Sequence, residues 1–267
     1  MSFQVHAALT TPYDDNGWVD LDALRLHIEL LVEDGVDGVV PAGTTGEGPL
    51  LEESEVASAV ATAVQTAEGR IEVIAHVGRA STPATLRLAR AAVGTGVDAL
   101  MAITPYYYPH EPEALLKHYR ALLEAAAGTP VLAYAFPDRS GNELPAELID
   151  TLAGEGLAGL KDSTKAPERH DEYLEVARRH EGFRLFVGSE KLALQSMRGG
   201  GAGTISALAN ARADVLLHLR EEESEEAQEA ANQARAELPD IPDVKRAVRA
   251  RLAERGAEYP DAPRAPL

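Results

Sequence analysis

The feature that most restricts the fold is a repeat of pattern rather than of sequence. A short apolar run, a polar loop and an amphipathic stretch follow one another repeatedly before residue 210. Apolar runs at residues 5–10, 38–40, 71–77, 99–103, 130–134, 157–161, 184–187 and 203–206 read as strands bounded by turn residues. Between them, Asp20 precedes Leu21, Leu24, Ile28, Leu31 and Val32 at helical spacing, with Gly35 behind. Val56, Val60, Ala63 and Val64 mark a second helix, Pro83, Pro112 and Pro145 open three more, and residues 190–198 form another. Strands that alternate with helices pair in parallel, because a parallel crossover needs a helix-length connection. Eight such units predict an α/β fold, a (β/α)8 TIM barrel, whose active site lies in the loops after the strands. A doubly wound open sheet is the competing architecture, but no Gly-x-Gly-x-x-Gly follows the first strand. After Asn210 the pattern is helical only, in segments marked by Val215, Leu216 and Leu219, by residues 227–236, and by Val244, Val248 and Leu252. The expected organisation is a barrel core over residues 1–210 and a C-terminal helical extension over 211–267, packed outside the barrel.

Composition narrows the partners. The 267 residues are 45% hydrophobic, enough for one large core. With no cysteine, disulfides, thiolate catalysis and cysteine-ligated metals are excluded. The start, Met1-Ser2-Phe3-Gln4, lacks the basic and apolar regions of a signal peptide, and no apolar run reaches membrane-spanning length. A soluble cytoplasmic protein is expected. The net charge of −18, from 43 acidic and 25 basic residues, would repel nucleic acid and anionic membranes, so neither is expected as a partner. Carboxylates are spread along the chain, with one cluster at Glu221, Glu222, Glu223, Glu225 and Glu226. A carboxylate-rich, lysine-poor surface suits high salt, where screening relieves self-repulsion. The charge reads as halophilic habitat, not as a binding surface.

Scarcity makes the lysines informative. There are five, Lys117, Lys161, Lys165, Lys191 and Lys245. Lys117 and Lys245 fall in amphipathic helical patterns and are expected to be solvated, while Lys165 and Lys191 follow strand ends. Lys161 alone closes an apolar run, where desolvation would favour a neutral amine able to form a Schiff base with a carbonyl. The alternative is a strand-capping lysine paired with Asp162. In a barrel, the segments after the strands converge on one mouth, bringing Thr44, Thr45, Tyr106, Tyr107, Tyr134 and Arg139 toward Lys161. Each has a plainer reading: turn threonines, an aromatic subunit contact, a buried tyrosine needing only a hydrogen bond, a surface arginine. A glycine-rich loop with two hydroxyls can nevertheless hold a carboxylate, and a tyrosine beside an amine can shuttle protons.

The motifs Gly43-Thr44-Thr45-Gly46-Glu47, Thr104-Pro105-Tyr106-Tyr107, Tyr134, Arg139-Ser140-Gly141 and Gly159-Leu160-Lys161-Asp162-Ser163 resemble the dihydrodipicolinate synthase/N-acetylneuraminate lyase superfamily. The resemblance runs in matching order from Ala8-Leu9-Thr10-Thr11-Pro12 to Gly203-Thr204-Ile205-Ser206. It implies a class I aldolase in which Lys161 captures pyruvate and Tyr134 shuttles the proton. Thr45 would relay that proton toward Tyr107, which a neighbouring subunit often supplies. Thr44 and Thr45 would hold the pyruvate carboxylate with help from the backbone near Ile205, and Ser163 and Arg139 would join the substrate-binding set. No metal and no organic cofactor is implied, only the covalent lysine–pyruvate imine. The partners implied are pyruvate and an aldehyde, in a homotetramer.

Two branches compete. One is the archaeal-type 2-keto-3-deoxygluconate or 6-phosphogluconate aldolase of Entner–Doudoroff carbohydrate metabolism. The chain resembles it in Gly46-Glu47-Gly48-Pro49, in Tyr106-Tyr107-Tyr108-Pro109, and in a tail of Tyr259-Pro260 and Pro263-Arg264-Ala265-Pro266-Leu267. The other is 4-hydroxy-tetrahydrodipicolinate synthase, where an arginine placed like Arg139 binds the carboxylate of aspartate semialdehyde. Two positions depart from the pattern. Ala135 stands where both branches commonly have asparagine, and His110 where archaeal aldolases have an arginine that helps bind phosphate. The aldolase is the favoured expectation. A non-catalytic keto-acid binder on the same barrel is the reading from another functional class.

Overall fold

Nearly every strand of the protein is buried on both faces, as expected of a parallel sheet covered by helices. A computed structural model describes residues 2–267. The strands are β1 (Gln4–Ala8), β2 (Gly38–Val40), β3 (Glu72–His76), β4 (Ala99–Ile103), β5 (Val131–Ala135), β6 (Gly159–Asp162), β7 (Arg184–Val187) and β8 (Gly203–Ser206). They follow one another in chain order and close into a barrel. The helices that punctuate them are α1 (Leu21–Asp34), α2 (Glu53–Ala67), α3 (Thr82–Val93), α4 (Pro112–Ala125), α5 (Pro137–Ser140), α6 (Ala146–Gly154), α7 (Pro167–Arg179) and α8 (Ala193–Gly199). Three more complete the chain: α9 (Ala209–Glu222), α10 (Glu225–Glu237) and α11 (Ile241–Ala253). The (β/α)8 barrel with C-terminal helices expected from the sequence is the fold.

Local chemistry explains the helix ends. The Asp20 carboxylate accepts the amides of Asp22 and Ala23 at 3.1 and 2.9 Å, and Gly35 closes α1 at φ 82°. Ser224 caps α10, and Glu225 and Glu226 in its first turn put negative charge at the positive end of the helix dipole. Two stretches depart from expectation. Residues 137–140, read as loop, coil into the single turn α5, started by Pro137 and stopped by Gly141 at φ 71°. Residues 190–198 divide into a 3-10 turn (Glu190–Leu192) and α8.

Contacts among the described residues fall into two compact units, one of residues 2–3 with 76–204 and one of residues 4–75 with 205–267. In the first, β5 and β6 pair in register, Ala133 with Leu160, Tyr134 with Lys161 and Ala135 with Asp162. In the second, α1, α9 and α11 share a core of Ala23, Leu30, Ala211, Val248, Leu252 and Tyr259. Asn210 secures that core to β1: its Oδ1 accepts the Thr10 amide at 3.1 Å, and its Nδ2 donates to the Ala8 carbonyl at 2.7 Å. Among the described residues no helix is long and apolar enough to cross a membrane.

Candidate active site

Strand register places the lysine and the tyrosine. Because Tyr134 and Lys161 are paired positions on neighbouring parallel strands, their side chains leave the same face of the sheet. Lys161 Nζ lies 4.4 Å from the centroid of the Tyr134 ring. Both residues are buried, Lys161 at 5% exposure and Tyr134 at 1%. Among the described residues Lys161 Nζ makes no hydrogen bond or ion pair, which leaves the amine uncommitted. The alternative pairing with Asp162 does not form. Asp162 Oδ1 accepts the amide and hydroxyl of Thr164 at 2.8 and 2.7 Å, and Oδ2 bonds His170 Nδ1 at 2.8 Å. Asp162 and His170 are both fully buried, so this pair ties the end of β6 to α7.

Space for the lysine comes from Gly188, just after β7. A Cβ there would lie 2.2 Å from Ser163 Oγ and 3.1 Å from Lys161 Cε, so no larger residue fits without displacing them. Ser163 is thereby brought beside Lys161. His76 is a further residue of this unit that the sequence reading missed. Its ring stands edge-on to Tyr134 at 6.0 Å, and its Nε2 accepts the Ile103 amide at 3.4 Å. Nothing in its surroundings in the sequence marks it, because a histidine closing an apolar strand reads as filler.

Tyr107 and Arg139 are different. Tyr107 is 84% exposed at φ 85°, and its ring packs against Tyr108 with centroids 4.9 Å apart. Tyr106 is half-buried. Arg139 is exposed on α5; its amide donates to the Phe136 carbonyl at 3.0 Å, and its guanidinium makes no hydrogen bond or ion pair among the described residues. His110 is half-buried; its amide donates to Asn142 Oδ1 at 2.6 Å, while its own Nε2 has no partner.

In the second unit, Thr44 and Thr45 sit in a tightly folded loop after β2, and Ile205 is buried within β8. Ala42 and Glu47 both take left-handed backbone, at φ 58° and 57°, a conformation that costs about 1–2 kcal/mol per residue without glycine. Gly46 and Gly48 are required by crowding, since Cβ atoms there would lie 2.7 Å from the Leu9 carbonyl and 2.0 Å from that of Ala42. Thr11 Oγ1 donates to the Gly46 carbonyl at 2.6 Å.

This loop corrects one expectation. Lys117 is exposed as predicted, but Lys245 is completely buried. Its Nζ donates to Glu47 Oε1 at 3.0 Å and to the Ala262 carbonyl at 2.6 Å, and lies 4.6 Å from the Tyr13 ring centroid. Burial pulls the Lys245 amine below the ordinary lysine range, and the Glu47 charge opposes that pull. The helical pattern could not disclose a partner 198 residues away.

Among the described residues no cluster of three or more histidine, aspartate or glutamate side chains could hold a metal. The whole chain, residues 1–267, matches the model of the Dihydrodipicolinate synthetase family. The chain belongs to that family. Members of the dihydrodipicolinate synthetase family are lyases that act through a pyruvate Schiff base on a lysine and need no cofactor. A 4-hydroxy-tetrahydrodipicolinate synthase of Thiobacillus denitrificans is 39% identical over 212 residues, covering 79% of this chain and 70% of the relative. An uncharacterised DapA-like lyase of Halobacterium salinarum is 36% identical over 214 residues, covering 80% and 69%. In fold, the chain is similar to YagE of E. coli, a member of the dihydrodipicolinic acid synthase family solved in complex with pyruvate. Their TM-score is 0.91 at 22% identity, over 99% of this chain and 92% of the other.

Proposed function

We propose that the protein is a class I aldolase that cleaves 2-keto-3-deoxygluconate or its 6-phosphate to pyruvate and glyceraldehyde or its phosphate. One observation carries the catalytic part: an uncommitted, buried Lys161 amine 4.4 Å from the ring of a register-paired, buried tyrosine. Lys161 Nζ attacks C2 of the keto acid, and the carbinolamine loses water to give a protonated imine. Tyr134 takes the C4 hydroxyl proton as the C3–C4 bond breaks, and the electron pair passes into the imine to leave an enamine. The aldehyde departs, C3 is reprotonated, and water releases pyruvate from the lysine. Thr44 and Thr45, with the backbone near Ile205, hold the keto-acid carboxylate, and Thr45 relays a proton toward Tyr107. The 84% exposure of Tyr107 suits a residue lent across a subunit boundary, and so a homotetramer. Ser163 lies beside the lysine and contributes to substrate binding, and a cytoplasmic location accords with soluble keto-acid and aldehyde substrates.

The sugar-acid substrate is read from the resemblance of the tail to the archaeal aldolases, a likeness outside the catalytic set. Tyr259 and Arg264, part of the segment that resembles the archaeal aldolases, are built into the fold. Tyr259 Oη and Thr10 Oγ1 share a 2.7 Å hydrogen bond, and the Arg264 guanidinium grips Glu55 with two 2.6 Å bonds. The competing reading is 4-hydroxy-tetrahydrodipicolinate synthase, favoured by the name of the Thiobacillus denitrificans relative and by the exposed, uncommitted Arg139, free to take a substrate carboxylate. Comparing kcat/KM for pyruvate with glyceraldehyde, glyceraldehyde 3-phosphate and aspartate semialdehyde decides between them. The proposal expects a glyceraldehyde to win, and aspartate semialdehyde winning would transfer the chain to the synthase branch. A non-catalytic binder would turn over none of the three.

A further inference from the structure

The loop that carries Thr44 and Thr45 has its glutamate turned inward and locked. Glu47 is 1% exposed, and each of its carboxylate oxygens is held by a different part of the C-terminal segment. Oε1 accepts from Lys245 Nζ on α11 at 3.0 Å, and Oε2 accepts from the backbone amide of Arg264 at 2.6 Å. Lys245 Nζ also donates to the Ala262 carbonyl, so one ammonium binds the loop and the tail at once. The tail is fixed in turn by Arg264. Its guanidinium pairs with Glu55, donates to the Leu50 carbonyl at 2.9 Å and to the Gly17 carbonyl, and stacks 4.5 Å from the Tyr13 ring centroid.

A charge this deeply buried does not persist without close partners, and a loop with left-handed Ala42 and Glu47 does not hold its shape by local preference. We propose that Glu47, Lys245 and Arg264 are positioning residues: a clasp through which α11 and the tail hold the loop in the shape that presents Thr44 and Thr45 to the keto-acid carboxylate. This rests on the reading of Thr44 and Thr45 as the carboxylate seat. None of the three touches substrate, and each acts through the loop. Substrate affinity is thus set in part by residues at the far end of the chain, and a ligand or substitution loosening the tail would weaken pyruvate capture without disabling the lysine.

The test uses full-length Lys245→Met and Arg264→Ala. Two quantities are read: hydrogen exchange at the Glu47 and Gly48 amides, which bond to the Thr44 and Gly43 carbonyls, and the pyruvate concentration giving half-maximal borohydride trapping at Lys161. Both variants should exchange those amides about 10- to 100-fold faster than wild type. They should need roughly tenfold more pyruvate while still reaching complete trapping at saturation, because the lysine itself is untouched. Should Lys245→Met fail to fold, Arg264→Ala, whose side chain is nearer the surface, decides alone. Folded variants with unchanged exchange would overturn the clasp. So would faster exchange with unchanged half-saturation, and Thr44→Val then shows where the fault lies. If Thr44→Val raises the pyruvate requirement, the clasp alone is wrong; if it does not, the carboxylate seat has fallen with it.

Discussion

Two of the five lysines are buried, and each lies over a tyrosine ring, Lys161 at 4.4 Å from Tyr134 and Lys245 at 4.6 Å from Tyr13. Their surroundings otherwise differ. Lys245 spends its ammonium on a carboxylate and a carbonyl. Lys161 has neither, and its neighbour Asp162 is committed to Thr164 and His170. Burial with a counter-charge makes a structural lysine, whose proton is held by the pair. Burial without one leaves an amine whose only strong interaction is still to come, which is what a nucleophile requires.

The largest effect separates the two directly. Lys161→Ala should lose turnover by roughly 10⁴-fold or more in steady-state kinetics, since no other amine can replace the covalent step. Retained turnover would erase the distinction. Next, Lys245→Met should cost about 3–5 kcal/mol in urea unfolding, because it strands the Glu47 charge in the interior. A near-neutral result would mean that Glu47 finds water or another donor, and that the pair is not structural.

A third prediction sharpens the comparison by asking whether the two regions respond alike to acid. Each contains one buried histidine whose imidazole burial lowers to about 4, His118 in the unit of Lys161 and His27 in that of Lys245. With the folded value below the unfolded one, the unfolded chain binds more protons between pH 6.5 and 4. Stability is therefore full above pH 6.5 and is lost as pH falls toward 4, by at most about 3 kcal/mol per histidine. Replacing either by glutamine should flatten that part of the pH–stability curve, and an unaltered slope would contradict the assignment. The smallest effect concerns the surface. If the −18 charge is an adaptation to high salt, unfolding free energy should rise by about 1 kcal/mol or more between low and molar salt, and a flat response would exclude that habitat.

How far the sequence disclosed this arrangement depended on the range of each interaction. Strands β2, β4, β7 and β8 fall on the residues expected, because an apolar run bounded by glycine or proline is a local signal. The α1 caps at Asp20 and Gly35 were equally plain, since both act within a few residues of the helix. Lys161 was legible for the same reason: it closes its own apolar strand. Lys245 was not, because Val244 and Val248 are what a one-stripe helix displays, and Glu47 is remote in the chain. His76, His170 and Gly188 were also silent, their roles existing only once neighbouring strands and helices place Tyr134, Asp162 and Ser163 beside them. The α5 turn was hidden in a proline- and glycine-bounded stretch that reads as loop.

The most direct test is peptide mapping of the wild-type protein after incubation with pyruvate and borohydride. A single reduced pyruvate adduct on the peptide containing Lys161, with Lys245 unmodified, is the result expected from one uncommitted and one paired amine. No adduct, or an adduct on Lys245, would contradict it.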